Sequence, residues 1–228
     1  IPLISWITYA LSGKRLDNVG TGNISVAAAF YHGGKLAGII SVVSESLKGI
    51  AVVTIAHAYF PMEPVWEVIA LIALVIGRYT ITKGAGTTNV AWGLLANDPL
   101  VTICVSVIAA IGFLITRSRE TIKLAVLVMF PLFVGIIHSQ DLPRIIAAFA
   151  LSALIYWIYS QIPDDLNLAV EDADPESQAV MQYLSNQERI ITLDDELDGE
   201  IVGAKSATLS QIKRWGYTVP KGWVLSPD

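Results

Sequence analysis

Five stretches of this chain are apolar and nearly free of charge: Leu36–Phe60, Val65–Gly77, Pro99–Thr116, Ile122–Ile137 and Ile145–Ser160. Nothing else restricts the fold as much. A soluble helix keeps a polar face for water, and these runs offer none, whereas a bilayer asks for about 20 consecutive apolar residues per helical span. The shorter runs can still cross where a flanking polar turn is buried against neighbouring helices. The hydrophobic fraction of 54% and the mean hydropathy of +0.57 point the same way, since soluble domains are roughly 45–50% apolar. The fold class expected is an all-α polytopic membrane helix bundle.

Charge divides the chain. Residues 1–161 carry ten Lys/Arg and seven Asp/Glu, whereas residues 162–228 carry five and thirteen. A step this sharp marks a domain boundary. Three parts are expected: a membrane domain over 1–161, an acidic linker over 162–188, and the start of an α/β unit over 189–228. Ile162–Gln187 has six acidic residues, no basic one, and Pro163 and Pro175. It reads as a solvated tether with one short helix around Glu176–Gln187. Beyond it, Ile190–Leu193 reads as a strand, Ser206–Trp215 as a helix stopped by Gly216, and Val219–Leu225 as a turn into another strand. Ile1–Leu11 reads as the second half of a helix and Ser226–Asp228 as a break inside a motif, so a piece of a longer protein is expected. No signal-peptide pattern is visible.

Cys104 stands alone, which excludes an intrachain disulfide, and His32, His57 and His138 have no metal-ligand spacing. No metal and no nucleic-acid partner are expected. Lys14/Arg15, Lys35, Arg78/Lys83, Arg117/Arg119/Lys123 and Arg144 fall at the ends of runs, and no loop dominates the positive charge that orients membrane proteins.

Glu45 and Lys48 stand inside the first apolar run, three apart and on one helix face. A charge there costs roughly 2.5–3.5 kcal/mol on insertion scales, so the two either pair to fix one helix against the next or line a polar cavity. Three polar loops separate the runs. Gly20-Thr21-Gly22-Asn23 frees backbone N–H groups that can converge on an anion. Lys83-Gly84-Ala85-Gly86-Thr87-Thr88-Asn89, with Arg78 just before it, offers glycines, hydroxyls and a cation, although not in P-loop order. His138-Ser139-Gln140-Asp141-Leu142-Pro143-Arg144 is the third. Three such loops suit an anionic substrate that meets an apolar one at a membrane surface.

In these motifs the chain resembles the PlsY-type acyl-phosphate:glycerol-3-phosphate acyltransferases, over Ile1–Ser160. That family opens on an Ile-Pro helix and an Asp, here Asp17, followed by G-S-G-N-x-G-A-T-N-x-x-R-x-x-G-K. Gly20–Lys35 keeps the opening and closing residues of this motif, but Ala27-Ala28 replaces T-N and Tyr31 replaces the Arg. The D-x-x-K-G pattern of the next helix is Glu45-Ser46-Leu47-Lys48-Gly49. In the second motif Gly77-Arg78 stands for G-H and Ala85 for the Lys of the glycine run, while Gly93–Pro99 follows the downstream pattern. The third motif, H-R-x-N-x-x-R-L, is matched by His138, Asp141 and Arg144, with Ser139 for its first Arg. The resemblance implies a cofactor-free enzyme of phospholipid biosynthesis in the bacterial inner membrane, acting on glycerol 3-phosphate and acyl phosphate. It implies that Thr21, Asn23 and His138 serve catalysis. Gly20, Gly22, Lys48, Arg78, Lys83, Gly84, Gly86 and Arg144 would bind substrate, with Arg78 and Lys83 supplying lost cations. The alternative is a degenerate membrane anchor or lipid-sensing module for an ATP-dependent domain. A transporter is disfavoured because the polar residues cluster in loops.

The end of the chain resembles the start of the ATP-binding, ATP-grasp-like domain of phosphoenolpyruvate synthases and pyruvate phosphate dikinases. Their pattern G-G-K-x-A-x-L followed by G-x-x-V-P-x-G-[FW]-V is met by Gly203–Leu209, with Ala204 for the second Gly, and by Gly216–Val224. The resemblance implies that Gly203 and Lys205 contact ATP phosphates, with Mg, in a protein carrying further domains, and that this segment faces the cytoplasm.

Overall fold

Each apolar run folds as a helix. The computed structural model describes residues 2–116, 118–162, 168, 170–184, 190–193, 197, 202–217, 219 and 223–225, and the chain divides into two compact units, Ile1–Asn186 and Gln187–Asp228. In the first unit the helices are α1 (Leu3–Ser12), α2 (Val26–Tyr59), α3 (Val65–Thr82), α4 (Thr87–Asn97), α5 (Pro99–Thr116), α6 (Arg119–Ile137) and α7 (Leu142–Gln161). Five of them, α2, α3, α5, α6 and α7, are long and apolar enough to cross a membrane. Their outward faces expose Ile103, Ile111, Ile115, Leu132, Ile136 and Phe149, which only an apolar surrounding makes economical. The inner faces close on Val53, Leu71, Val75, Val101, Val134, Ala148, Leu151 and Ile158.

Local chemistry sets the helix ends. Ser25, Ser118 and Asp141 cap α2, α6 and α7 by accepting the N–H groups of Ala28, Thr121 and Arg144, the usual role of a short polar side chain before a first turn. α2 starts at Val26 rather than at Leu36, because Ala27, Ala28 and Ala29 are strong helix formers. The helix breaks at Gly34, whose φ of 87° lies in the left-handed region, where glycine carries no steric penalty.

Successive helices run back and forth, so the loops sort to two ends. The turns before α2, before α4 and before α6 lie at one end with the close of α7; the turns before α3, α5 and α7 lie at the other. α2 and α4 pack backbone to backbone. A Cβ on Gly49 would overlap the Asn89 carbonyl, and one on Gly93 would sit 3.1 Å from the Gly49 carbonyl oxygen. Gly49→Val is therefore expected to lower the unfolding midpoint in detergent by the equivalent of about 1–3 kcal/mol, the usual cost of overpacking. Gly77→Ala, where a Cβ meets nothing within 4 Å, serves as the control that should hold its midpoint.

The acidic stretch departs from a solvated tether. A 3-10 turn at Val170–Asp172 and helix α8 (Gln178–Leu184) fold back on α2. Ala173 and Met181 are buried with Tyr31, and the Asp174 N–H donates to the Tyr31 carbonyl at 2.8 Å. Burial of these apolar residues outweighs the repulsion of their acidic neighbours. Pro163, Asp164 and Asp165 lie outside the described residues.

In the second unit, strands β1 (Ile190–Thr192) and β2 (Trp223–Leu225) pair antiparallel with Ile190 opposite Leu225. Helix α9 (Ala204–Arg214) lies between them in sequence. Leu193, Leu197 and Val202 form a small core with Ala207, Leu209, Val219 and Val224. Gly199, Thr218, Pro220, Lys221 and Gly222 lie outside the described residues.

Candidate functional site: a polar cavity against an apolar cleft

Glu45 organises the interior of the membrane unit. It is 1% exposed on α2, and each carboxylate oxygen takes a cation: Oε1 meets Lys48 Nζ at 2.6 Å and Oε2 meets Arg78 Nη1 at 2.6 Å. The sequence left open whether Glu45 and Lys48 pair or line a cavity, and they do both. Arg78 Nη2 donates to the Ile24 carbonyl at 3.0 Å, so one side chain ties α3 to α2 and to the first polar loop. The second loop wraps the same guanidinium. A Cβ on Gly84 would stand 2.8 Å from the Ile24 oxygen and 3.1 Å from Arg78 Nε. One on Gly86, where φ is +68°, would stand 3.2 Å from Arg78 Cδ. Both glycines are thus required by close approach.

A cavity of about 540 Å³ opens beside this cluster. The first loop and the start of α2 contribute Asn23, Ser25 and Ala27, the middle of α2 and α3 contribute Glu45 and Arg78, and the second loop with the start of α4 contributes Ala85, Gly86, Thr87 and Thr88. Glu120, Lys123 and Tyr159 close it. A smaller pocket of about 280 Å³ adjoins it through Asn23 and Ile162, and holds Thr21, Gly22 and Lys83. On the other side lies an apolar cleft of about 370 Å³, walled by Leu94, Phe113, Val126, Phe130, Leu151 and Ile155. Thr87, Lys123 and Tyr159 line both the polar cavity and this cleft. Lys123 is steadied by Glu120 at 3.4 Å and lies 5.3 Å from the centre of the Tyr159 ring, within cation–π range.

Most of the residues expected at a site meet here. Thr21, Gly22, Asn23, Arg78, Lys83 and Gly86 line the two polar pockets, Gly84 is buried behind Arg78, and Gly20 shapes the exposed turn with φ +59°. Lys48 stands on the far side of Arg78, in a further pocket. His138 and Arg144 are elsewhere. His138 Nε2 and Arg144 Nη2 share Asp98 Oδ2, at 2.6 and 3.0 Å. Arg144 also donates to Asn97, Asn97 to Glu67, and Glu67 meets His57 at 2.8 Å. This network ties the opposite ends of the helices: Glu67 and Arg78 are eleven residues apart on α3, about 16 Å at 1.5 Å per residue. The expected convergence of three polar loops is therefore corrected. α6 separates the loop after it from the loop before it by a membrane's depth.

The α5–α6 turn takes the place of that third loop, and the flanking-charge reading passed over it. Ser118-Arg119-Glu120-Thr121 keeps the Arg of H-R-x-N at its second position, which was the available signal. Arg119 lines the apolar cleft and Lys123 both spaces. Tyr31, at the position of an Arg in the resembled motif, is buried against Ala173 and Met181 rather than facing the cavity.

No curated protein and no solved structure matches the chain. A family model, glycerol-3-phosphate acyltransferase, matches residues 1–166. That span takes in α1 to α7 and the loops that wall the polar cavity, and the chain belongs to the glycerol-3-phosphate acyltransferase family.

Proposed function

We propose that the membrane unit transfers an acyl group from acyl phosphate to the 1-hydroxyl of glycerol 3-phosphate, a step of phospholipid biosynthesis. The observation that carries this reading is the shared wall of Thr87, Lys123 and Tyr159, where a polar cavity meets an apolar cleft. An acyl phosphate has the matching form, an alkyl chain joined to a dianion. The hydroxyl oxygen attacks the acyl carbonyl carbon, the bond from that carbon to the phosphate oxygen breaks, and the hydroxyl proton leaves with the departing phosphate. Negative charge grows on the carbonyl oxygen and on the leaving group, where loop N–H groups and cations stabilise it. In this reading Lys123 and Arg119 hold the acyl phosphate, and Thr21, Asn23 and Lys83 hold the glycerol phosphate. Arg78 serves mainly to hold the two loops together. The reaction needs no cofactor.

Positive charge supports an orientation. Lys14, Arg15, Lys83, Arg119 and Lys123 lie at the cavity end, against Arg144 at the other, and Lys/Arg-rich loops face the cytoplasm. The cavity then opens on the cytoplasmic face of a bacterial inner membrane, where α7 also ends. For the second unit we propose the ATP-binding start of a dikinase-type domain. Gly203 precedes α9 with φ +83° and open space at its Cβ position, and Lys205 is exposed in the first turn, so both fit a phosphate approached by helix N–H groups. In a chain that carries the whole of the proposed ATP-binding domain, Lys205→Ala is expected to abolish ATP binding measured by calorimetry, while acyl transfer stays at the wild-type rate.

The acyltransferase reading is tested with the purified chain, palmitoyl phosphate and radiolabelled glycerol 3-phosphate. Label should enter lysophosphatidate. A folded, monodisperse sample that yields no product would sink this reading and leave a membrane anchor.

A further inference from the structure

The apolar cleft has a definite depth. Its mouth is marked by Thr87, Lys123 and Tyr159, which it shares with the polar cavity. Leu94, Phe130 and Leu151 line its other end, and three helices reach that end together. Leu94 follows Thr87 by seven residues on α4, Phe130 follows Lys123 by seven on α6, and Leu151 precedes Tyr159 by eight on α7. At 1.5 Å per residue each of these steps descends about 10–12 Å. The three side chains are 8%, 5% and 1% exposed and belong to the main core. At that level the helices close on one another, and the cleft has a floor.

The cation at the mouth decides how much chain stands on that floor. An acyl phosphate held by Lys123 starts its alkyl chain at the top of the cleft. An extended chain advances about 1.2 Å per bond, so it meets the floor after about ten carbons. The tails of membrane lipids reach further, about 15 Å, half the thickness of the hydrocarbon core. A tail of that length has two courses. Pushing past the floor overpacks an interior in which a single added methylene is felt. Turning aside is open to it, because Ala91 lines the cleft and is exposed, four residues or about 6 Å below Thr87. A chain that leaves there, however, abandons the lower cleft and forfeits its dispersion contacts. A chain of about ten carbons suffers neither loss.

We propose that the floor of Leu94, Phe130 and Leu151 sets the acyl-chain length, with Phe130 as the main specificity-determining residue and a medium-length acyl phosphate, near decanoyl, as the preferred donor. The inference rests on the acyltransferase reading and narrows its donor. Phe130 has the largest side chain of the three, and its ring fills about the volume of the roughly six carbons by which a palmitoyl chain overruns the floor at about 1.2 Å per bond.

The test compares octanoyl, decanoyl, dodecanoyl and palmitoyl phosphate as donors to glycerol 3-phosphate, with the full chain in phosphatidylcholine nanodiscs. Wild type should show its highest kcat/KM with decanoyl or dodecanoyl phosphate, and a value about tenfold lower with palmitoyl phosphate, within the usual cost of overpacking. Phe130→Ala should raise the palmitoyl-to-decanoyl ratio by about the same tenfold. Leu94→Phe raises the floor and should move the optimum to octanoyl phosphate. The KM for glycerol 3-phosphate should hold in both variants, whereas a merely structural change would lower all donors alike. If Phe130→Ala fails to fold, Leu94→Phe alone decides. Octyl, decyl and hexadecyl phosphate carry the same charge and chains but cannot transfer, which gives a readout independent of activity. Decyl phosphate should raise the unfolding midpoint of wild type most, and octyl phosphate that of Leu94→Phe. A length profile that the variants leave unmoved, in transfer and in protection alike, overturns the floor. Transfer that is blind to chain length rejects the floor alone. Protection that follows chain length as expected, in folded protein that transfers from no donor, rejects the acyltransferase reading alone.

Discussion

Alanine at Glu45 is expected to lower the stability of the membrane unit by about 3–5 kcal/mol, the usual cost of breaking a buried ion pair from one side, and to take acyl transfer to background. Glu45 is 1% exposed and sits 2.6 Å from both Lys48 and Arg78. Its removal strands two cations inside the bundle, and Arg78 would lose the contact that aims it at the Ile24 carbonyl. The double change Glu45→Ala with Arg78→Met separates the two losses. Apolar replacement of a buried pair is often neutral for stability, so the double variant should regain much of its unfolding free energy in urea and detergent while transfer stays lost. A Glu45→Ala protein that unfolds at the wild-type midpoint would show that the charges do not depend on one another.

Lys123→Ala is expected to reduce kcat/KM for acyl transfer by about 10²–10³, the loss seen when one preorganised donor to a developing charge is removed. Lys123 is the cation shared by the polar cavity and the apolar cleft, where the phosphate of an acyl phosphate must lie if its chain enters the cleft. Lys123→Arg keeps the charge and should lose less. Arg144→Ala provides the contrast. It should lower stability, because buried Asp98 loses its guanidinium partner and keeps only His138 and the Val101 N–H, yet leave the KM of both substrates unchanged in the protein that remains folded. The reverse pattern, with transfer abolished by Arg144→Ala and spared by Lys123→Ala, would return the third motif to the far loop.

Periodicity and charge made the helices legible, because each lipid-facing run has to be apolar along its length. Glu45, Lys48 and the two glycine loops were legible too, since ionisable residues in an apolar run and glycines flanked by cations are rare without a reason. The grouping of loops was not. Which end a polar loop occupies depends on counting every crossing before it, and α4, at eleven residues, is too short to register as a crossing in the hydropathy pattern. Missing that element moves His138 and Arg144 to the wrong end and hides Arg119 and Lys123. The start of α2 at Val26 was likewise hidden, because an alanine run reads as helix only when no family pattern claims it as loop.

Tyr31 carries a practical lesson about dissection. The segment from Val170 to Leu184 leans on the helical piece that follows the first loop, and Gly34 places its backbone against the Asp174 carboxylate, 3.2 Å from where a Cβ would be. Scissors applied at the close of α7, where hydropathy draws the border, would strip a greasy phenol ring of its cover and unpin the helix break at Gly34 beside the polar loops. The usable cut for an isolated enzyme lies after Leu184, and a preparation trimmed to the last apolar helix invites a false negative.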